Sequence, residues 1–353
     1  MRSFMPQGLQ AEKHAMSTSN PETNNRSLTI HSESLYSGEF TVTEDTASHS
    51  GKRFSGTRLK AITVPILYKL VKHVPVPIAA LPMKLLLLLL RVFYAWPNNS
   101  FRHACEYICK LAATQGYNHN PQQVYHQLID NANGTLDSYF RLYRHGADTI
   151  LDRIHISTND ADRINRLASE HGGVIIAVSH NFAALFSGVK MSREFPLLIV
   201  SRNPSTIERT KIAVDVYERM GVSILMVRGG NPFELSRTLF SILKSGKAVA
   251  ATVDSIDHSE GAAKALVFGQ HIGFPTWAAK IAAKKRIPVV PSYFRSSGKQ
   301  VTAVYGEELI SNSTEEIVQH YVRFFEQNIL EDPASWAYLG DKRWRRVLKE
   351  ASK

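Results

Sequence analysis

The sequence predicts an α/β fold, with a mixed, mostly parallel sheet flanked by helices, on three observations. Apolar runs at residues 174–178, 197–201, 223–227, 248–253, 287–294 and 301–305 alternate with amphipathic stretches, the order expected when helical crossovers join the strands. The run Val174-Ile175-Ile176-Ala177-Val178 has no polar member, as a strand covered on both faces requires. Helix punctuation falls between the runs: Asn231-Pro232 offers a cap and a first-turn proline, Gly246 follows a helix end, and Ser313 with Glu316 forms a capping box. With 353 residues, 44% hydrophobic and 21% charged, the chain is long enough to enclose a large core.

Taken in order, residues 1–58 are rich in Ser, Thr, Asn and Glu and lack apolar periodicity, so a disordered polar tail is expected there. No apolar stretch follows the start, and scattered acids run through the segment, so neither a secretory leader nor an organelle transit peptide is expected. Residues 59–98 change character. They carry the six leucines Leu85 to Leu90 and the aromatics Phe93, Tyr94 and Trp96, but Lys69, Lys72, Pro75, Pro77, Pro82, Lys84 and Arg91 interrupt every window. A spanning helix needs about 20 unbroken apolar residues. The mixture predicts an amphipathic helical segment lying in the headgroup layer, with a buried helix of the soluble domain as the alternative. Helices at 100–114 and 121–145 then lead into an α/β domain over 99–346, and 347–353 reads as a basic C-terminal tail. Cys105 and Cys109 stand four apart in the first of those helices, too few for a zinc site and poorly placed for a disulfide, which makes them core thiols of a reduced compartment.

The net charge of +11 favours anionic partners such as phospholipid headgroups or an acidic carrier protein. Nucleic acid is not expected, because basic and aromatic residues are not interleaved as such binding requires. Several chemistries are disfavoured by missing motifs: no G-x-x-x-x-G-K-S/T, no G-x-G-x-x-G after a strand, no H-E-x-x-H and no G-x-S-x-G occurs.

His180 stands where the 174–178 run gives way through Ser179 to a helical stretch, and parallel sheets carry their chemistry at such strand ends. It is a candidate general base, since imidazole exchanges a proton near neutral pH; the plainer alternative is a satisfied histidine at a strand end. Arg228-Gly229-Gly230 precedes the helix starting near Pro232, so a guanidinium, free backbone N–H groups and a helix dipole converge on a candidate anion site; the plainer alternative is an ordinary solvated arginine after a strand. Asp254, at the end of another apolar run, either organises polar substrate groups or caps the loop 255–261. The literal H-x-x-x-x-D at His155 to Asp160 is a decoy, because Asn159 or Asp160 is better placed as the N-cap of the following helix.

The blocks Gly172 to His180, Arg202-Asn203-Pro204, Arg219-Met220-Gly221, Val227 to Gly230, Asp254, Val267-Phe268-Gly269 with Pro275-Thr276, Pro288 to Pro291, and Trp336 with Arg343-Trp344-Arg345 occur together in this order. In order and spacing the chain resembles the lysophospholipid acyltransferase superfamily, within it the lipid A biosynthesis acyltransferase branch. The resemblance implies O-acyl transfer from an acyl thioester, on acyl carrier protein or coenzyme A, to a lipid hydroxyl at the cytoplasmic face of the inner membrane, without metal or redox cofactor. It implies His180 as the base, and Arg228, Arg202, Gly229 and Gly230 as contacts to substrate phosphate. The family's H-x-x-x-x-D/E signature is broken here, for position 185 is Leu. Another carboxylate, Asp254 first among them, reaches His180, or the histidine works unassisted, or catalysis has been lost and the chain is a lipid-binding or membrane-adaptor protein.

Overall fold

The computed structural model describes residues 25–45, 56–227 and 232–353. Along the chain the elements run β1 (Asn25–His31), β2 (Glu39–Asp45), α1 (Gly56–His73), α2 (Val76–Val92), α3 (Ser100–Thr114), α4 (Pro121–His145), the single turn α5 (Asp148–Leu151) and β3 (Ile154–His155). There follow α6 (Thr158–Glu170), β4 (Val174–Val178), α7 (Ala184–Glu194), β5 (Leu197–Arg202), α8 (Ile207–Met220), β6 (Ser223–Val227), α9 (Pro232–Lys244) and β7 (Ala248–Thr252). The chain closes with β8 (Ala263–Val267), β9 (Gln270–Phe274), α10 (Trp277–Lys285), β10 (Val289–Ser297), β11 (Gln300–Tyr305), α11 (Thr314–Glu331) and α12 (Lys342–Ala351).

Seven strands form one sheet in the order β3-β11-β10-β4-β7-β5-β6. Only β10 and β11 pair antiparallel; the other neighbours are parallel. The fold is therefore the mixed, mostly parallel α/β sheet flanked by helices that the alternation predicts. Every residue of β4 is buried, and its side chains alternate between two cores, as a period of two dictates. Ile175 and Ala177 join the core shared with α3, α10, α11 and α12, whereas Val174, Ile176 and Val178 join that shared with α6, α7 and α8.

Three expectations need correction. Residues 25–45, expected within a disordered tail, form a β-hairpin. Its connecting loop pairs with the sheet's edge strand, the Ile224 N–H donating to Ser34 O at 2.7 Å and the Tyr36 N–H to Ile224 O at 2.8 Å. Leu35 and Val42 are buried, so two apolar side chains and an unpaired edge supply what the polar composition concealed. The rest of that expected tail, residues 1–24 and 46–55, lies outside the described residues, and α1 begins at Gly56 rather than 59. Residues 347–351 are not a tail but the last turns of α12, anchored by buried Leu348. The helix α6 is capped not by Asn159 or Asp160 but by Ser157, whose Oγ accepts from the Asp160 N–H at 3.0 Å and donates to the Asp160 carboxylate at 2.6 Å.

The expected 59–98 segment is two helices. Pro75 breaks α1 from α2, and α1 lies on α4 and α8 through Val71 against Phe140 and through Lys72, 3.9 Å from Asp215. On α2 the side chains of Ile78, Leu81, Leu85, Leu88, Leu89 and Val92 are exposed. Among the described residues no helix is long and apolar enough to cross a membrane. Cys105 and Cys109 are buried free thiols, and burial pushes the Cys109 thiol up to about 11.

Candidate active site

The site forms at the carboxyl ends of β4 and β7. These strands are parallel neighbours in the register Val178↔Thr252, so two residues beyond each end the chain carries His180 on one side and Asp254 on the other. The pairing continues past the strands, with the Val253 N–H donating to Val178 O at 3.0 Å. Strand order thus sets the two side chains next to each other across 74 residues of sequence.

Asp254 Oδ1 contacts His180 Nδ1, and Oδ2 accepts from the His180 main-chain N–H at 2.9 Å and from the Trp336 indole N–H at 3.0 Å. The carboxylate side chain is 3% exposed and that of the imidazole 30%. A buried carboxylate is tolerated only when its oxygens are supplied with donors, and here three converge. Because a carboxylate only accepts, the Nδ1 position carries the proton and Nε2 is the ring's acceptor, with the Tyr338 hydroxyl 2.9 Å away as its donor.

The surrounding backbone is held as firmly. The Ala337 N–H donates to His180 O at 2.7 Å, and the Phe182 N–H to Ser335 O at 3.2 Å. Asn181, buried, accepts from Ser179 Oγ at 2.5 Å and from the Phe294 N–H at 3.2 Å, which ties the turn after β4 to β10. The Trp344 indole donates to Asp254 O at 3.2 Å. Tyr338 stacks on the imidazole with ring centroids 4.0 Å apart, and its hydroxyl lies 2.9 Å from Nε2. Burial pushes the Tyr338 phenol up, with the charges of Arg343 and Arg202 acting weakly the other way.

His180 opens on an apolar cavity of about 240 Å³ lined by Leu185, Met191, Ile199, Tyr217 and Phe294. A second cavity, of about 320 Å³, lies under α1 between Leu67, Val71, Tyr139 and Ile212. Leu185 and Tyr217 line both. Position 185, in the first turn of α7, is therefore half-buried in a cavity wall, while Phe186 and Val189 on the same helix are fully packed.

The family comparison is decided over most of this architecture: residues 78–346 match the family described as bacterial lipid A biosynthesis acyltransferase. The chain belongs to that family. The match begins within α2, beyond the N-terminal hairpin, and covers the whole seven-stranded sheet and the tryptophans that hold Asp254. No curated protein matched the chain. Of the site residues expected from sequence, His180 and Asp254 are brought together, and Arg202 lies exposed at the end of β5, the strand beside β7. Arg228, Gly229 and Gly230 lie outside the described residues. Sequence reasoning did not assign the hydrogen-bonding roles of Trp336 and Trp344 or the stacking of Tyr338. The block Trp336 with Arg343-Trp344-Arg345 was a signal for the family, but nothing in it pointed to a histidine 158 residues before Tyr338.

Proposed function

We propose that this chain is a membrane-associated O-acyltransferase that moves a fatty acyl group from a thioester, on acyl carrier protein or coenzyme A, to a hydroxyl of a glycolipid or lysophospholipid. The observation that carries the reading is the buried Asp254 carboxylate on His180 Nδ1, beside a cavity walled by apolar side chains. Asp254 takes the part of the acid that the signature places at position 185, and Leu185 faces hydrocarbon instead. The same contact favours catalysis over the adaptor reading, which has no use for a tautomer-fixing carboxylate at a strand end.

In the reaction, the acceptor O–H bond breaks as His180 Nε2 takes the proton and the oxygen attacks the thioester carbonyl carbon. The tetrahedral intermediate collapses with cleavage of the C–S bond, and the imidazolium returns its proton to the departing thiolate. Asp254 stays ionised throughout and stabilises the imidazolium. Arg202 and the loop at Arg228, Gly229 and Gly230 serve the phosphate of donor or acceptor, as guanidinium and backbone N–H groups do. The exposed apolar faces of α1 and α2 seat the protein on the cytoplasmic face of the inner membrane.

The direct test is transfer of a radiolabelled dodecanoyl group from its coenzyme A and carrier-protein thioesters to membrane lipid extracts. His180→Ala is expected to abolish transfer with the circular dichroism spectrum unchanged; transfer at the wild-type rate would remove His180 from the chemistry.

A further inference from the structure

Asp254 holds the His180 ring at Nδ1, off the Cβ–Cγ axis about which the ring turns, and so sets one edge of it. The carboxylate does not touch the face of the ring. The group that lies against that face comes from the far end of the chain. Three successive residues there each grip a different part of the pair: the Trp336 indole donates to the Asp254 carboxylate, the Ala337 N–H to His180 O, and the Tyr338 ring covers the imidazole face. The stretch is itself rigid, because Trp336 and Leu339 are fully buried on either side of Tyr338 and the Asp341 N–H closes the turn on Tyr338 O at 2.9 Å.

The two rings are 22° from parallel with centroids 4.0 Å apart. The phenol oxygen, 2.9 Å from Nε2, is that nitrogen's hydrogen-bond partner in the resting site, and an incoming hydroxyl takes its place. Resting on the general-base reading above, we infer that Tyr338 is a positioning residue for His180. Its ring holds the plane in which Nε2 points, and its π face stabilises the imidazolium formed when the proton is taken. The phenol O–H gives way to the incoming hydroxyl, so this role rests on the flat ring.

The test compares Tyr338→Phe with Tyr338→Leu in the full-length protein, using release of free thiol from dodecanoyl-coenzyme A in the presence of lysophosphatidylethanolamine. Tyr338→Phe keeps the ring and is expected to retain kcat. Tyr338→Leu keeps the bulk but not the stack, and is expected to lower kcat by about ten- to a hundredfold with KM little changed, the range that lost orientation costs. A rise in KM at constant kcat would make Tyr338 part of the substrate pocket, and a Phe variant as slow as the Leu variant would assign the effect to the hydroxyl; either overturns the inference. A second readout does not depend on turnover. The His180 ring protons, identified by their loss in His180→Gln, are expected upfield of the other histidines in wild type and Tyr338→Phe, and back in the ordinary range in Tyr338→Leu. If wild type releases no thiol, the acyl-transfer reading fails on that donor while the ring protons still decide the positioning claim; unmoved ring protons in Tyr338→Leu sink it.

Discussion

Asp254 shows how one residue's hydrogen bonds can dictate another's proton. Its carboxylate accepts from the His180 N–H and the Trp336 indole and leaves Oδ1 for Nδ1. An asparagine at 254 keeps the volume but offers an amide N–H on one side. With its NH₂ toward Nδ1, the imidazole must accept there and carry its proton on Nε2, where the base's lone pair is needed. Asp254→Asn is therefore expected to lower kcat for acyl transfer about 10⁴-fold, the loss seen when the orienting acid of a comparable triad is amidated. Single-turnover transfer of the dodecanoyl group measures it, and a loss of less than tenfold would mean that Nδ1 is oriented by something else. That position 185 is Leu is legible in the chain. That Asp254 reaches His180 is not, because the two meet through strand register rather than through the spacing of one helix turn.

The elements that matter most are β4 and β7, parallel partners separated in sequence by three helical crossovers. Strand existence follows from composition: Val174–Val178 and Ala248–Thr252 are short, apolar and bounded by glycine or polar residues. Their adjacency does not, since order in a doubly wound sheet reflects how crossovers pack. The hairpin β1–β2 makes the opposite point. Its alternation of Leu28, Ile30, Phe40 and Val42 with polar residues is brief and polar overall, so it reads as tail, yet it closes the open edge at β6. Leu35 is 4% exposed, and Leu35→Asp sets a charge in that contact. Such a change is expected to destabilise the protein by about 2–4 kcal/mol, visible as a lower melting temperature and, once the edge is free, as increased light scattering. A melting curve that coincides with wild type would show the hairpin to be dispensable for the sheet.

Among the described residues, most of the exposed large apolar side chains fall on α1, α2 and the turn after them: Ile62, Ile66 and Leu67, the leucines of α2, and Phe93 and Trp96. Exposed apolar side chains in such number along one helix mark a partner or lipid surface, and a helix of 17 residues is about 25 Å long. With a net charge of +11 the chain is drawn to anionic headgroups. It is expected to float with vesicles of phosphatidylethanolamine and phosphatidylglycerol in a sucrose gradient. Replacing Leu85, Leu88 and Leu89 with Gln is expected to leave most of it at the bottom, with thiol release in detergent unchanged. Flotation that survives the triple replacement would move membrane contact to another surface.

Periodicity and punctuation were enough to read most of this molecule from its residues: the strands, the long helices, the caps at Ser313 and the histidine at a strand end all follow from local physical chemistry. Interactions between distant segments were not legible. The carboxylate on His180, the indoles of Trp336 and Trp344, the Tyr338 stack and the hairpin on β6 each depend on which strands and loops become neighbours. That choice is made by burial and by the satisfaction of backbone and carboxylate hydrogen bonds across the assembled sheet, energies that no local stretch of sequence expresses.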